Sequence, residues 1–426
     1  MVLIEQQFPD RSIPDIAARI RQEFETWGYA RTIPRGAKIA IGVGSRGISN
    51  IAAIVKAVVD CWKTAGAEPF VFPAMGSHGA ATAEGQADVL AHYGIDQASM
   101  GVPVVSSLDV VRVGATAVGT EVFLARDAFS SDGVFLVGRV KWHTDFSGGI
   151  ESGLCKMMAI GLGKLAGAQR YHTAAYRIGL EAAIRGVAGV VVGTGKVLGG
   201  LAIQEGARHE TAGLSIVSAL NGLAPLVRRE EELLTEVKTW MARLPAPEID
   251  VLIVDEIGKN ISGAGMDTKV INRGVHGQYN PWPNTPVVQR IFARGLTSNT
   301  YHNAVGIGLA DVIHDRLLRD VDWRPTYLNS LTASTLAPIK TPPHFATDRE
   351  CLERIAPTVG KWDTETVTYC RIKNTLALER AWVSENLLGD LAEGTRILSE
   401  PVAIPFDDAG ELRELECLAV ASPVGA

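Results

Sequence analysis

Two rhythms of apolar and polar positions alternate along this chain. Ile13, Ile16, Ala17, Ile20 and Phe24 fall on one helical stripe. Lys38–Val43 (KIAIGV) is a short apolar run that reads as a buried strand. It enters Gly44-Ser45-Arg46-Gly47, and a helix follows from about Ser49 to Ala65 with Ser49 as its N-cap. Pro69–Pro73 (PFVFP) is a second strand, running into Gly76-Ser77-His78-Gly79 and a helix from about Thr82 to Tyr93. Gly94 then takes the position just past a helix end. Two consecutive strand–loop–helix units predict a parallel sheet. Arg46 and His78 would stand at carboxyl ends of its strands, where open α/β sheets hold ligands.

Val110–Val113, Glu121–Leu124 and Val134–Val137 continue as strands, and Thr173–Ile184 and Glu230–Leu244 have helical spacing. Leu244-Pro245-Ala246-Pro247 then breaks the helix and stiffens the link. A fresh apolar strand starts at Ile249–Val254. The expected fold class is α/β, with two α/β domains, largely parallel sheets and an active-site cleft between them. The cut falls at residues 1–246 and 247–426, and the segment after about Ala377 is free to cross back to the first domain.

Composition narrows the class. The 426 residues are 46% hydrophobic and 21% charged, with a net charge of −6. Cores can be large, and no basic run offers phosphates the clustered cations that nucleic-acid binding needs. No apolar stretch is long enough to cross a bilayer. The start, MVLIEQQFPD, lacks the basic and apolar regions of a secretory signal. Five cysteines stand far apart with no CxxC pair, which suits a reducing cytoplasm. Self-association stays open.

Candidate chemistry concentrates in Gly138–His172. A buried strand leads to Lys141, Trp142 and His143, then a glycine turn at Ser147-Gly148-Gly149, then Lys156 and a helical pattern ending in Tyr171-His172. Backbone N–H groups of such a turn, or of the helix start, can hold an anion. Cys155 beside Lys156 reads as a small buried filler. Gly193-Thr194-Gly195-Lys196 lacks the full phosphate-loop pattern, and no GxGxxG opens a helix, which counts against nucleoside triphosphates and dinucleotides. His92, His209 and His314 read as surface residues; His276, His302 and His344 are placed to line the second domain's side of a cleft.

The ordered set resembles the nickel-dependent lactate racemase family, which uses a nickel-pincer nucleotide. The residues carrying the resemblance are Val43-Gly44-Ser45-Arg46 at one strand end and Gly76-Ser77-His78 at another. They continue with His143 before Ser147-Gly148-Gly149, and with Lys156 followed sixteen positions later by His172. The resemblance covers most of the N-terminal half. It implies a racemase or epimerase that inverts the hydroxyl-bearing carbon of a small 2-hydroxy acid. It assigns Lys156 to covalent attachment of the cofactor and His172 to nickel. Gly44, Ser45 and Arg46 would border the cofactor, Arg46 would also orient the substrate carboxylate, and His78 and His143 would be the acid/base pair. Histidine suits that role because its unperturbed pKa is about 6.5.

The chain departs from that family at several positions. Val43 stands where an aspartate is usual, Gly79 where an arginine is usual, and Ile150–Cys155 intervene before the lysine. No lysine occupies the second-domain substrate position, so Lys259, Asn272 and Arg273 are the candidates there. A larger or more polar 2-hydroxy acid than lactate fits these differences. A redox enzyme on the same fold, and a cofactor-free metal- or ligand-binding homologue, are the alternatives.

Overall fold

The computed structural model describes residues 1–44 and 47–413. Fifteen strands are described: β1 (Val2–Glu5), β2 (Lys38–Val43), β3 (Glu68–Pro73), β4 (Val110–Ala115), β5 (Glu121–Ala125), β6 (Gly133–Arg139), β7 (Val197–Glu205), β8 (Thr211–Ser218), β9 (Glu248–Ile257), β10 (Val287–Leu296), β11 (Val312–His314), β12 (His344–Phe345), β13 (Tyr369–Ile372), β14 (Arg380–Val383) and β15 (Arg396–Ile397). Thirteen of them make two largely parallel sheets, and β4 and β5 pair by themselves as an antiparallel ribbon; the chain forms two compact units, Asp10–Met241 and Met1–Pro9 with Ala242–Ala426.

The unit of residues 10–241 is built on a sheet of order β3-β2-β6-β7-β8. All pairs but the last are parallel. Successive side chains of a strand point to opposite faces, and the core divides accordingly. Ile39, Ile41 and Val43 of β2, with Phe135 and Val137 of β6, enter one cluster around Phe24, Trp62 and Leu90. Ala40, Val134 and Leu136 enter the other, around Leu154, Met158 and Tyr171. Each face therefore buries a full layer, which is why these strands read as continuous apolar runs.

The helix after β2 spans Ile51–Thr64, and Asn50, not Ser49, stands at its N-cap. Ser49 instead gives its hydroxyl to the His209 carbonyl, and its N–H donates to Glu205. The helix after β3 spans Ala83–His92, with the Thr82 hydroxyl accepting from the Gly85 N–H as a cap. The single helix expected at 173–184 is two, Lys164–Ile178 and Leu180–Gly193, parted at Gly179.

The other unit carries a sheet of order β12-β11-β10-β9-β13-β14-β1-β15. β12 to β13 run parallel, and β14, β1 and β15 add antiparallel strands. The first nine residues, grouped by the sequence reading with the N-terminal domain, belong to this sheet. Val2 pairs with Val383 and Ile4 with Ala381, and both enter the core around Val254 and Ile291. This N-terminal strand is hydrogen-bonded on both sides, to β14 and to β15, and its apolar side chains leave water there.

Candidate active site

Three parallel neighbours, β3, β2 and β6, end on the same edge of their sheet. Those ends deliver Gly44, the loop to His78, and the segment containing His143. A Cβ at Gly44 would meet Met157 Cε at 3.9 Å, so the end of β2 adjoins the helical element of Lys156. Ser45 and Arg46 lie outside the described residues.

The segment after β6 is a closed loop. Lys141 and Ser152 exchange main-chain hydrogen bonds of 3.2 and 3.3 Å across its neck. Glu151 is fully buried there. Its carboxylate accepts from the His143 N–H, from the Gly148 N–H at 3.2 Å and from Lys238 Nζ at 2.7 Å. Three donors satisfy this buried carboxylate, and it organises the loop that presents His143. The Lys238 ammonium also stands 5.4 Å from the centre of the Trp142 ring.

His143 is oriented on both nitrogens. The Asp145 N–H donates to Nδ1 at 3.0 Å. Nε2 is hydrogen-bonded to Lys156 Nζ. The ring packs on Phe146, with centroids 4.6 Å apart.

Lys156 closes a single helical turn, Leu154–Lys156, that runs into a π-helical stretch, Met157–Gly161. Such irregular turns recur at functional sites. The start of this turn is held from behind by Glu230, which accepts from the Cys155 N–H at 3.0 Å. A side chain at position 153 would collide with that carboxylate, so the approach requires Gly153. Burial raises Glu230 to about 7, against the opposing bonds from Cys155 and Leu154. The Cys155 thiol is pushed well above its ordinary value by burial and then by Glu230, so it is a filler and no nucleophile at neutral pH.

His172 lies on the following helix, half-buried. Burial, and then the charge of Lys156, lower its pKa, while Asp145 opposes them. His143 and Lys156 are thus in contact, and the charges of Lys156 and Asp145 act on His172. His78 is half-buried at the end of the β3 loop on the same sheet edge.

Other expectations change. The Gly148-Gly149 turn is no anion cradle. The Gly149 and Ile150 N–H groups donate to Glu181 at 3.1 and 3.3 Å, and Glu181 is itself paired with Arg185. A carboxylate already occupies the place a phosphate would take. Asn272 is 1% exposed and its amide donates to the Trp282 and Pro286 carbonyls. Arg273, 3% exposed, donates to the Val288 and Gln289 carbonyls and lies over the Tyr279 ring. Both side chains thus spend donors on main-chain carbonyls between Trp282 and Gln289. Lys259 Nζ donates to the Gly263 carbonyl at 2.8 Å. His314, read as a surface residue, is buried and hydrogen-bonded to Glu411. Glu151, Glu230 and Lys238 were not among the expected site residues; charged positions inside loops and helices carry no sequence signal of burial.

No protein-family model matches the chain, and no curated protein sequence matches it. Among solved structures, the fold matches that of the lactate racemase apoprotein from Thermoanaerobacterium thermosaccharolyticum, with a TM-score of 0.50 and 12% sequence identity, over 88% of this chain and 99% of that one. At that identity the likeness is one of fold.

Proposed function

We infer that the chain is an isomerase of the lactate racemase type, inverting the hydroxyl-bearing carbon of a small 2-hydroxy acid. The observation that carries this reading is the contact of Lys156 with His143 beyond the carboxyl end of β6, with His172 on the next helix under the influence of the Lys156 charge, on a fold like that of a lactate racemase.

The residues suit a nickel-pincer nucleotide on two counts. Burial, and then the Lys156 charge, lower the His172 pKa and so favour the neutral imidazole, the form that binds nickel. Lys156 is a half-buried amine beside it, on an element fixed by Glu230. Lys156 would hold the group covalently and His172 its metal. When bound, such a group supplies acceptance and return of the substrate's α-hydride. The chain's own histidines would handle the hydroxyl proton. His143, held between the Asp145 N–H and Lys156, and His78, from a neighbouring strand end, would be the acid/base pair, one for each enantiomer.

A cofactor-free, ligand-binding homologue is the second reading. It is favoured by the capped glycine turn and by Val43, a buried apolar side chain where an acid is usual in the family. The test is to co-express the chain with nucleotide-making enzymes, then offer single enantiomers of a panel of 2-hydroxy acids. Appearance of the opposite enantiomer in a nickel-dependent manner is expected. Ligand binding without inversion by loaded protein would favour the second reading.

A further inference from the structure

A buried polar pair lies behind the His78 loop. Gln86 is 0% exposed and Lys164 is 2% exposed. Lys164 opens its helix with φ +54, a conformation that non-glycine residues rarely adopt and that clusters near functional sites. Its Nζ donates to the Pro73 carbonyl at 2.5 Å and to Gln86 Oε1 at 3.3 Å. The ammonium thereby dictates which way the amide of Gln86 points. Gln86 Nε2 then donates to the Gly76 carbonyl at 3.0 Å, with the Met75 and His78 carbonyls farther off at 3.4 and 3.5 Å.

The loop is pinned at both ends by this one network. Pro73 ends β3, and His78 is the residue the loop delivers. The loop also sits hard against the element of Lys156 and His172: a Cβ at Gly76 would meet Ile160 Cγ2 and Ala168 Cβ, each at 3.0 Å. Stability alone is a poor reason for the pair, since an apolar side chain of similar volume is often at least as stabilising as a buried ion. The choice of an ammonium that orients an amide makes sense where a position must be held closely.

We propose that Lys164 and Gln86 are positioning residues that hold His78 at its working place through the main-chain carbonyls of residues 73–78. This rests on the acid/base role assigned to His78 above.

The experiment compares full-length wild type with Gln86→Glu, Lys164→Met and Lys164→Arg. Gln86→Glu keeps an oxygen facing Lys164 and withdraws the donor to Gly76, so the fold is retained while the anchor goes. Lys164→Arg is the conservative rescue. The first readout is the ring signal of His78 in histidine-labelled protein, assigned by its absence in His78→Ala. Gln86→Glu and Lys164→Met should move that signal and its titration midpoint, and Lys164→Arg should leave it near the wild-type position. The second readout, on loaded protein, is a kcat reduced about tenfold with KM little changed, and a displaced pH profile. An unmoved His78 signal in folded Gln86→Glu overturns the positioning role. If His78→Ala itself turns over normally, the acid/base role fails instead, and the ring signal still decides whether the pair positions that residue.

Discussion

The amine of Lys156 is hydrogen-bonded to Nε2 of His143, although thirteen positions and a glycine turn separate them in sequence. The bond joins the loop after β6 to the short helical stretch that leads into the helix of His172. Each partner is held by a carboxylate from behind: Glu151 under His143, and Glu230 under the turn of Lys156.

Glu151→Ala should therefore release the His143 loop. It leaves two main-chain N–H groups and the Lys238 ammonium without their acceptor, a loss of about 1–3 kcal/mol for such unsatisfied groups. Chemical denaturation measures it, and the His143 ring signal should broaden or move. An unchanged midpoint and an unchanged His143 signal would mean that Glu151 does not organise the loop.

Glu230 should make stability fall between about pH 4.5 and 7. Its folded pKa, near 7, lies above the ordinary 4.5, so the folded state binds more protons across that window and stability drops as pH rises through it. Glu230→Gln keeps an acceptor for the Cys155 N–H and removes the titration. At pH 8 the variant should be more stable by roughly 1–3 kcal/mol, with a flatter profile. A variant that is less stable at pH 8 would contradict the assignment.

Lys164 acts in the opposite window. Burial lowers its amine from 10.5 to about 8, with Asp127 opposing, so the unfolded chain binds the extra proton between those values and stability rises with pH there. Melting curves from pH 7.5 to 10.5 should show that rise in wild type and lack it in Lys164→Met. Parallel curves would contradict it.

In the other unit, Arg294 donates to the fully buried carboxylate of Asp348, which also accepts from Arg316 and from the Leu412 N–H. Burial opposes ionisation of Asp348, but these partners win and hold it at about 2. Arg294→Met should cost about 3–5 kcal/mol, as expected when one partner of a buried pair is removed. A loss under about 1 kcal/mol would show that Arg316 suffices.

Much of this was legible in the chain. The strands of both parallel sheets stand out because their two faces are buried, as in KIAIGV and IDVLIV. The placement of Gly44, His78 and His143 beyond the ends of β2, β3 and β6 follows from the strand ends, which sequence reveals well. What escaped depends on long-range pairing or buried charge. β1 pairs with a strand almost 380 positions away, and nothing local in VLIE says so. Glu151, Glu230 and Lys164 look like surface residues until their partners are seen. Asn272 and Arg273 resemble ligand groups in sequence, yet main-chain carbonyls at and just before β10 take donors from both. The glycine turn has the composition of an anion site, but Glu181, on a distant helix, caps it.

The most direct measurement is the intact mass of the chain after co-expression with nucleotide-making enzymes, with peptide mapping of any adduct. Added mass matching the pyridinium nucleotide is expected on Lys156 and nowhere else. It should vanish in Lys156→Ala, and in His172→Ala it should persist with nickel lost. An unmodified chain, or an adduct mapped to another lysine such as Lys141 or Lys164, would contradict the assignment of Lys156 and His172.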